Sequence, residues 1–461
     1  MTQSAIVIPS LRPEALGAPF PGTELPELPT ALAEVQRWID RAEEPVDEHA
    51  SRWHAWPDRP EFQPAYGPVS LNTGAAGIAW YSLAASDATG DPAHLERARR
   101  AAAYIASAWR EHADDAFLGI AGTGVGHYGG LAGIGAVMLE FADRFAGHRD
   151  TAIAIFDEIL ARTGRTGGRE FGWTGANALL GDGGVILGLL AASQRLGAAR
   201  YLEAATAAGL GILAEEQRDE LGSWWSGLDA TLLGLPEGLE LDGFELGTVG
   251  IAYLFARLAE GTGDERFASA AVRAADHVAA AATVVGDAAV IARLGGTYSF
   301  GYCTGSSGAI RSFLGVYRAT GDPRWLEWAL RFGRGILRSG VPGRQTPGNA
   351  WVFHQCCGSA AVLESFVGLW LETGDRLWLD AANAQADDLL IRSVTDEQGR
   401  RWYSESHVLP TGTLKAEVGH QVGASGIALS LLRLHQVHEA DATGAPFTTL
   451  RLPDDPFRAG S

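Results

Sequence analysis

One pattern recurs along the chain: two glycines three residues apart, or a near copy of that pair, followed by an apolar stretch. Seven copies begin at Gly74, Gly130, Gly181, Gly247, Gly305, Gly358 and Gly423. The spacing between neighbouring copies is 51 to 66 residues, and self-similarity of this kind is typical of repeat folds. A helix that is apolar nearly all round is a buried helix. The pattern therefore predicts seven buried helices, each preceded by a glycine-rich turn.

A second kind of segment lies between the copies, with apolar residues at i, i+3, i+4 and i+7 and many good helix formers. These segments cover residues 94–112, 150–163, 201–217, 265–283, 323–339 and 376–394. Residues 29–44 show the same pattern and supply, in this prediction, the outer helix of the first repeat. Gly-Asp-Pro and Thr-Gly-Asp sequences mark several of the predicted starts. The amphipathic pattern predicts an outer layer of seven helices.

Seven helix pairs with no outer helix after the last inner one favour a closed ring, which needs no capping repeat. We predict an all-α fold, an (α/α) toroid of seven helix-pair repeats. Residues 29–440 are predicted to form this single domain, between an N-terminal extension (1–28) and a C-terminal tail (441–461). The N-termini of the inner helices should meet at one face, and residues 224–241 should form a loop over the mouth of the ring.

Charge and composition exclude several classes of function. The chain has 36 basic and 55 acidic residues and a net charge of −19, which argues against a nucleic acid as partner. Lys415 is the only lysine, so nothing supports a phosphate-binding loop, and a Schiff base would depend on that residue alone. No leader peptide and no run of about 18 apolar residues is present. We expect a cytoplasmic protein that does not insert into membranes.

The three cysteines stand at equivalent places in consecutive repeats. Cys303 lies two residues before Gly305, and Cys356 and Cys357 lie directly before Gly358. A helix N-terminus favours the thiolate, and three thiolates can hold Zn²⁺ with its fourth position open. The alternative is that they are three small residues in crowded turns. Their shared register favours a metal site with one Zn²⁺ per chain.

The repeats, with GYCTG at Gly301 and QCCG at Gln355, resemble the lanthionine synthetase C-like family over residues 30–438. The resemblance implies an (α/α) toroid with a central zinc. Cys303 and Cys356 match two family ligands, and Cys357 replaces a histidine, as in a subset of the family. Cyclases of this family add peptide cysteine thiols to dehydroalanine or dehydrobutyrine to form thioether rings. The implied partners are a dehydrated precursor peptide and separate dehydratase or kinase-like enzymes.

Other family positions differ here. Leu246 stands where the fourth repeat usually has a histidine, and Asn177 where the third has an aspartate. Ser299 and Thr304 replace the arginine and tyrosine near the first cysteine ligand. The proposed metal ligands match the family, whereas the positions that usually carry its acid–base residues do not. A third thiolate in place of imidazole should also make a bound sulfur more nucleophilic.

A proton donor must complete thiol addition, and five residues near the predicted face are candidates: His127, His354, His420, Glu245 and Tyr302. Each histidine could instead be a hydrogen-bonded structural residue. His354, two residues before Cys356, is preferred as the donor, although it could instead orient a thiolate. Asp182 is predicted to be a helix N-cap.

The sequence thus predicts a zinc-dependent lanthionine cyclase. One alternative is a zinc-binding member that adds a different thiol or acts as a biosynthetic scaffold. Another is a glycoside hydrolase or lyase on an (α/α) toroid. The fourteen tryptophans leave this possibility open, although no clear carboxylate pair appears on the ring face.

Overall fold

A computed structural model of the chain describes residues 25–60, 67–115, 123–166, 169–233, 243–293, 297–343, 352–405, 414–447, 452, 453 and 455. Fourteen α-helices lie within these ranges. They are α1 (Leu28–Arg41), α2 (Ala75–Thr89), α3 (Pro92–Ala108), α4 (Leu131–Ala142), α5 (His148–Ala161), α6 (Asp182–Leu196), α7 (Ala199–Leu213), α8 (Thr248–Thr262), α9 (Glu265–Ala281), α10 (Ser306–Thr320), α11 (Pro323–Ser339), α12 (Ser359–Thr373), α13 (Arg376–Ile391) and α14 (Ala424–Thr443).

The even-numbered helices form a closed inner ring. Each packs against the next along the chain, and α14 returns to pack against α2. Each odd-numbered helix from α3 to α13 packs on the outside of the inner helix that precedes it in the chain. The predicted all-α class and (α/α) toroid are confirmed.

The predicted place of the first helix is wrong. Helix α1 packs against α14 rather than serving the first repeat. Its side chains Val35, Trp38 and Ile39 are fully buried there. No outer helix follows α14 within the described part of the chain, and the apolar face of α1 covers α14 instead, which closes the outer ring.

Burial separates the two layers. In α2 every residue from Ala75 to Ala85 is buried, whereas in α9 the buried residues fall on one face. The inner helices are apolar all round because they touch neighbours on both sides and an outer helix behind them. This arrangement places the N-terminus of every inner helix on the same face of the toroid.

A repeated Thr-Gly-Asp turn joins four inner helices to their outer partners. In the first, Gly90 ends α2 in the left-handed region at φ 69°, a conformation that glycine adopts without strain. Asp91 then caps α3 by accepting a hydrogen bond from the Ala93 amide at 2.9 Å. Residues 262–264, 320–322 and 373–375 repeat this turn and cap α9, α11 and α13 in the same way. The predicted start signals are confirmed at these turns.

Short antiparallel hairpins, which the sequence did not predict, precede several inner helices. Their strands are β1 (Glu43–Pro45), β2 (Ser51–Trp53), β3 (Gly164–Thr166), β4 (Arg169–Gly172), β5 (Gln217–Asp219), β6 (Gly222–Trp224), β7 (Thr283–Val285), β8 (Ala288–Val290), β9 (Ala292–Arg293), β10 (Thr297–Tyr298), β11 (Val394–Asp396), β12 (Gly399–Arg401), β13 (Ser404–Glu405) and β14 (Leu414–Lys415). They pair as seven two-stranded sheets in the described residues. Strands of two to four residues are too short for a period-two pattern to reveal.

The predicted loop over the mouth is only partly as expected. Trp224 ends β6, and Trp225 is fully buried, with its ring centroid 5.0 Å from that of Phe255. Trp225 therefore belongs to the core between layers. Residues 234–241 of the predicted loop lie outside the described residues. In the part of the chain that is described, no helix is long and apolar enough to cross a membrane.

Candidate metal centre

Backbone hydrogen bonds join most of the turns that precede the inner helices. The residues two positions before the first glycine of each repeat are equivalent, and we call this set the collar: Asn72, Tyr128, Leu179, Glu245, Cys303, Cys356 and Gln421. The backbone amide of Glu245 donates a hydrogen bond to the carbonyl oxygen of Cys303, with the two atoms 3.1 Å apart. In the same way Cys303 donates to Cys356, and Cys356 to Gln421, each at 3.0 Å. The Gln421 amide donates to Asn72 at 3.1 Å. Main-chain bonds, rather than side-chain contacts alone, thus set the spacing of the collar.

The repeated glycines allow these turns to lie against the helices. A Cβ atom on Gly250 would lie 1.8 Å from the carbonyl oxygen of Phe244, and one on Gly308 would lie 2.2 Å from that of Tyr302. Both distances are too short for a methyl group. The glycines three residues into the pattern are therefore structural and permit close backbone approach.

The collar brings the three cysteines together. The Cys303 Sγ atom lies 3.0 Å from Cys357 Sγ, and Cys357 Sγ lies 3.2 Å from Cys356 Sγ. All three sulfurs lie within 4.8 Å of one another, and none is in a disulfide. Cys303 is buried, whereas Cys356 and Cys357 are half-buried, so the cluster is accessible from the collar face.

Crowding dominates the electrostatics of the thiols. The interaction with Cys356 lowers the pKa of Cys303, but its contact with Cys357 and its burial raise the pKa more, to about 12. Contacts with Cys303 and Cys357, and then burial, raise the pKa of Cys356 well above its ordinary value. The expected lowering of these pKa values by helix N-termini is outweighed. A coordinated cation reverses this balance because a ligating thiol is deprotonated.

The donor set fits zinc. Zn²⁺ accepts thiolate ligands at about 2.3 Å in a tetrahedron, which separates two sulfurs by roughly 3.8 Å. Small side-chain rotations would bring the observed sulfur separations to that value. Soft sulfur ligands also favour zinc over magnesium or calcium. Cys303, Cys356 and Cys357 can therefore hold one zinc ion as three of its ligands.

Glu245 is the carboxylate beside the cluster. Both of its carboxylate oxygens lie 3.9 Å from Cys356 Sγ, and only 4% of the residue is exposed. The Gln421 side-chain amide donates a hydrogen bond to Glu245 Oε1. Sequence reasoning missed Gln421, although its equivalence to Cys303 and Cys356 in the repeat register was available.

His354 lies against the backbone of the cluster. Its Nδ1 atom is 3.4 Å from the Cys357 amide nitrogen and can accept a hydrogen bond from it. The residue is half-buried. The imidazole is therefore positioned to support the turn that carries Cys357 and leaves Nε2 as its second polar atom.

The other predicted donors occupy the position one residue earlier in each turn. His127 is 1% exposed, with its ring edge-on to Tyr128, and His420 is 5% exposed. Tyr302 packs on Phe244 with a centroid distance of 4.6 Å. His420 and Tyr302 line an internal cavity beneath the collar. These three residues face the barrel interior or its core, whereas Glu245 contacts a thiol.

Asn177 and Asp182, which the sequence analysis also named, make structural contacts. Asn177 donates to a Glu215 carboxylate oxygen at 2.8 Å. The N-cap prediction for Asp182 is wrong: Gly181 is the N-cap of α6. The Asp182 carboxylate accepts instead from the Thr174 amide at 2.7 Å, because the preceding turn folds back over it.

Lys415 is also buried in a structural setting. Its ammonium group lies 4.4 Å from the centroid of the Trp56 ring and contacts Glu417. Burial lowers the pKa of Lys415 to about 8. The cation–π contact and the ion pair account for a lysine at this position without a Schiff-base role.

The fold is similar to that of known toroids. No protein-family profile matches the sequence, and no curated protein does. Among solved structures, nisin cyclase superposes with a TM-score of 0.58 at 14% identity, over 83% of this chain and 91% of that chain. An α-mannanase from Bacteroides thetaiotaomicron has a TM-score of 0.43 at 14% identity, over 91% and 98% of the two chains. An unsaturated glucuronyl hydrolase from Bacillus sp. GL1 has a TM-score of 0.44 at 16% identity, over 90% and 98%. At these identities the likeness to nisin cyclase shows a shared fold.

Proposed function

We propose that this chain is a zinc-dependent lanthionine cyclase that adds peptide cysteine thiols to dehydroalanine or dehydrobutyrine. The observation that carries the proposal is the cluster of Cys303, Cys356 and Cys357, whose sulfurs lie within 4.8 Å at the collar face. The sequence resemblance at both cysteine motifs and a fold similar to that of nisin cyclase support it.

The three cysteines would hold the ion, with a fourth position open for substrate. Zinc would supply a substrate sulfur that is deprotonated and ready to attack at neutral pH. In the addition, the sulfur lone pair forms a bond to the β-carbon of the dehydro-residue, and the π electrons move onto the neighbouring carbonyl. The resulting enolate takes up a proton at its α-carbon. The sum is an isomerisation that needs no oxidant or reductant.

The chain's own residues have separable roles in this proposal. Glu245, held by Gln421 and 3.9 Å from Cys356 Sγ, would position the incoming substrate. His354 keeps the Cys357 turn in place through Nδ1, and we assign it the donation of the proton to the enolate. Half-buried Cys356 and Cys357 leave the centre accessible to a peptide.

The test is a direct assay of ring formation. Purified protein is incubated with a synthetic peptide that contains one dehydroalanine and one cysteine. Cyclisation leaves the mass unchanged, so the readout is loss of the thiol-alkylation adduct, followed by chiral analysis of lanthionine in the hydrolysate. Protection from alkylation with wild-type protein, absent with Cys303→Ser, is the expected result.

Two other outcomes separate the alternatives. A full zinc content without ring formation, but with addition of an external thiol, would assign the chain to a different thiol-addition reaction. Zinc content with neither reaction would favour the scaffold. Either result would overturn the cyclase proposal.

A further inference from the structure

A second site lies inside the barrel, beneath the collar. A cavity of about 680 Å³ occupies the middle of the inner ring. Its upper wall includes Tyr302, Gln355 and Gln421, and its lower part is lined by Arg257 of α8 and Arg318 of α10. None of the three cysteines lines it. The cavity therefore does not include the sulfur cluster but adjoins it, because Gln421 lines the cavity and also donates a hydrogen bond to Glu245.

Charged side chains of both signs line this cavity. Its lining includes four guanidinium groups, those of Arg257, Arg311, Arg318 and Arg433. Three carboxylates also line it, those of Glu260, Glu364 and Asp455. A fourth carboxylate, that of Glu372, lies 2.7 Å from Arg318, so four guanidinium groups are matched by four carboxylates. Their charge is therefore balanced only while Asp455 is in place.

Two of the arginines are held in fixed places by internal ion pairs. Arg433 lies 2.9 Å from Glu364, and Arg257 lies 2.6 Å from Glu260. Both arginine side chains are at most 10% exposed. The Arg311 guanidinium lies 5.5 Å from the centroid of the Tyr302 ring. These groups are preorganised, which lowers the ordering cost of binding an anion.

The segment after α14 already places a carboxylate in this cavity. Asp455 Oδ1 accepts a hydrogen bond from the Tyr253 hydroxyl at 3.0 Å and lies 3.9 Å from an Arg257 nitrogen. Pro453 of the same segment is buried, and the ring of Phe447 lies 5.3 Å from the Arg433 guanidinium carbon. The described residues after α14 thus line one end of the cavity and show how a carboxylate is received there.

We propose that the cavity is a binding site for a small carboxylate-bearing ligand, and that Asp455 is its exchangeable intramolecular occupant. Withdrawal of Asp455 would leave four guanidinium groups against three carboxylates, a net charge of +1 beside the buried side chains of Arg257 and Arg433. An uncompensated buried charge is costly, so an incoming carboxylate is favoured in its place. A volume of about 680 Å³ is within the usual range of small-molecule sites.

This site does not depend on the cyclase proposal. Tyr302 and Gln355 directly precede Cys303 and Cys356 in the chain. A ligand in the cavity would therefore touch the underside of the turns that carry the cysteines. Its binding can be measured without any assay of the metal centre.

The test is calorimetric titration of the full-length protein with succinate at constant ionic strength. Three chains are compared: wild type, Asp455→Asn, and Asp455→Asn combined with Arg257→Gln. The matched control is Asp441→Asn, because Asp441 pairs with Arg376 on the exposed outside of the toroid. We expect Asp455→Asn to bind succinate at least tenfold more tightly than wild type, and Asp441→Asn to behave as wild type. The double variant should lose that gain.

A second variant guards against misfolding of the first. A chain ending at Gly444 removes the covering segment altogether and should show the same gain in succinate affinity. If neither variant binds succinate more tightly than wild type, the site is not a carboxylate site. Equal affinity for the neutral analogue succinamide, or for inorganic phosphate, would also overturn the assignment.

Discussion

The backbone amide of Cys303 donates a hydrogen bond to the carbonyl oxygen of Cys356, with the two atoms 3.0 Å apart. This bond joins the turns of two consecutive repeats and sets the separation of their side chains. The candidate metal centre is therefore built on the main chain of the collar. Substitution of a cysteine should remove a ligand without dismantling the turn that carried it.

Replacement of Cys357 by histidine should retain zinc but slow thiol addition. Imidazole is a compatible zinc ligand, whereas the loss of one thiolate charge withdraws electron density from a bound sulfur. We expect a decrease of about tenfold in the rate, which corresponds to a barrier change of about 1.4 kcal/mol. Zinc content and single-turnover cyclisation rates measure the two effects separately. A faster reaction in the Cys357→His variant would refute the charge argument.

His354 can be tested with a pair of variants that separate proton donation from support of the turn. His354→Asn keeps an acceptor near the Nδ1 position for the Cys357 amide but cannot act as a general acid, whereas His354→Phe removes both functions. If His354 is the donor, both variants should slow cyclisation by about 10²–10⁴, with zinc content unchanged in His354→Asn. Full activity of His354→Asn would restrict His354 to positioning and direct attention to Glu245.

The second glycine of the repeated pattern should resist substitution even by alanine. Gly250→Ala places a methyl group 1.8 Å from the Phe244 carbonyl oxygen, and overpacking of this kind costs about 1–3 kcal/mol. The control is Gly368→Ala in α12, where the nearest atom to an added Cβ is 3.8 Å away. That change should be neutral or stabilise the helix by up to about 1 kcal/mol. In urea denaturation, the midpoint of Gly250→Ala should therefore be lower than that of Gly368→Ala. Equal midpoints would contradict the close-packing argument.

Once the metal is removed, Cys303 and Cys357 should become able to form a disulfide. Cys303 Sγ and Cys357 Sγ are 3.0 Å apart, closer than the other measured pair at 3.2 Å. After treatment with a chelator, the oxidant diamide should take two hydrogen atoms from this pair and form their disulfide, so that one free thiol remains. Zinc-loaded protein should keep all three thiols out of the disulfide. Peptide mapping that instead finds a Cys356–Cys357 bond would contradict the geometry.

The fold could be predicted because its signals are repeated and local. Six glycine pairs and one near copy, each followed by an apolar stretch, define the inner ring, and Thr-Gly-Asp turns mark the starts of four outer helices. The position of α1 could not be predicted in the same way, because its apolar face fits any inner helix and ring closure alone selects α14. The hairpins could not be predicted, because strands as short as Ser404–Glu405 have too few residues to show an alternation of apolar and polar positions.

The site was predictable to the extent that it follows the repeat register. Cys303 and Cys356 are equivalent in the repeats, and their clustering followed from that equivalence. Glu245 and Gln421 share the same position, so their approach to the cluster was implied as well. His127 and His420 precede that position by one residue, and this offset turns their side chains into the interior. Gln421 has the collar position and lines the cavity as well, so position in the repeat alone does not decide which side a turn residue faces.

The most direct test of the account is the zinc stoichiometry of the purified chain. Protein prepared without chelators should contain one zinc per chain by elemental analysis, and the Cys303→Ala/Cys356→Ala double variant should contain none while keeping the wild-type helical circular dichroism. Cobalt substitution of the wild type should give the intense thiolate charge-transfer absorption of a three-sulfur site. A wild-type chain without zinc, or a double variant that retains a full equivalent, would contradict the central claim that these three cysteines form a metal centre.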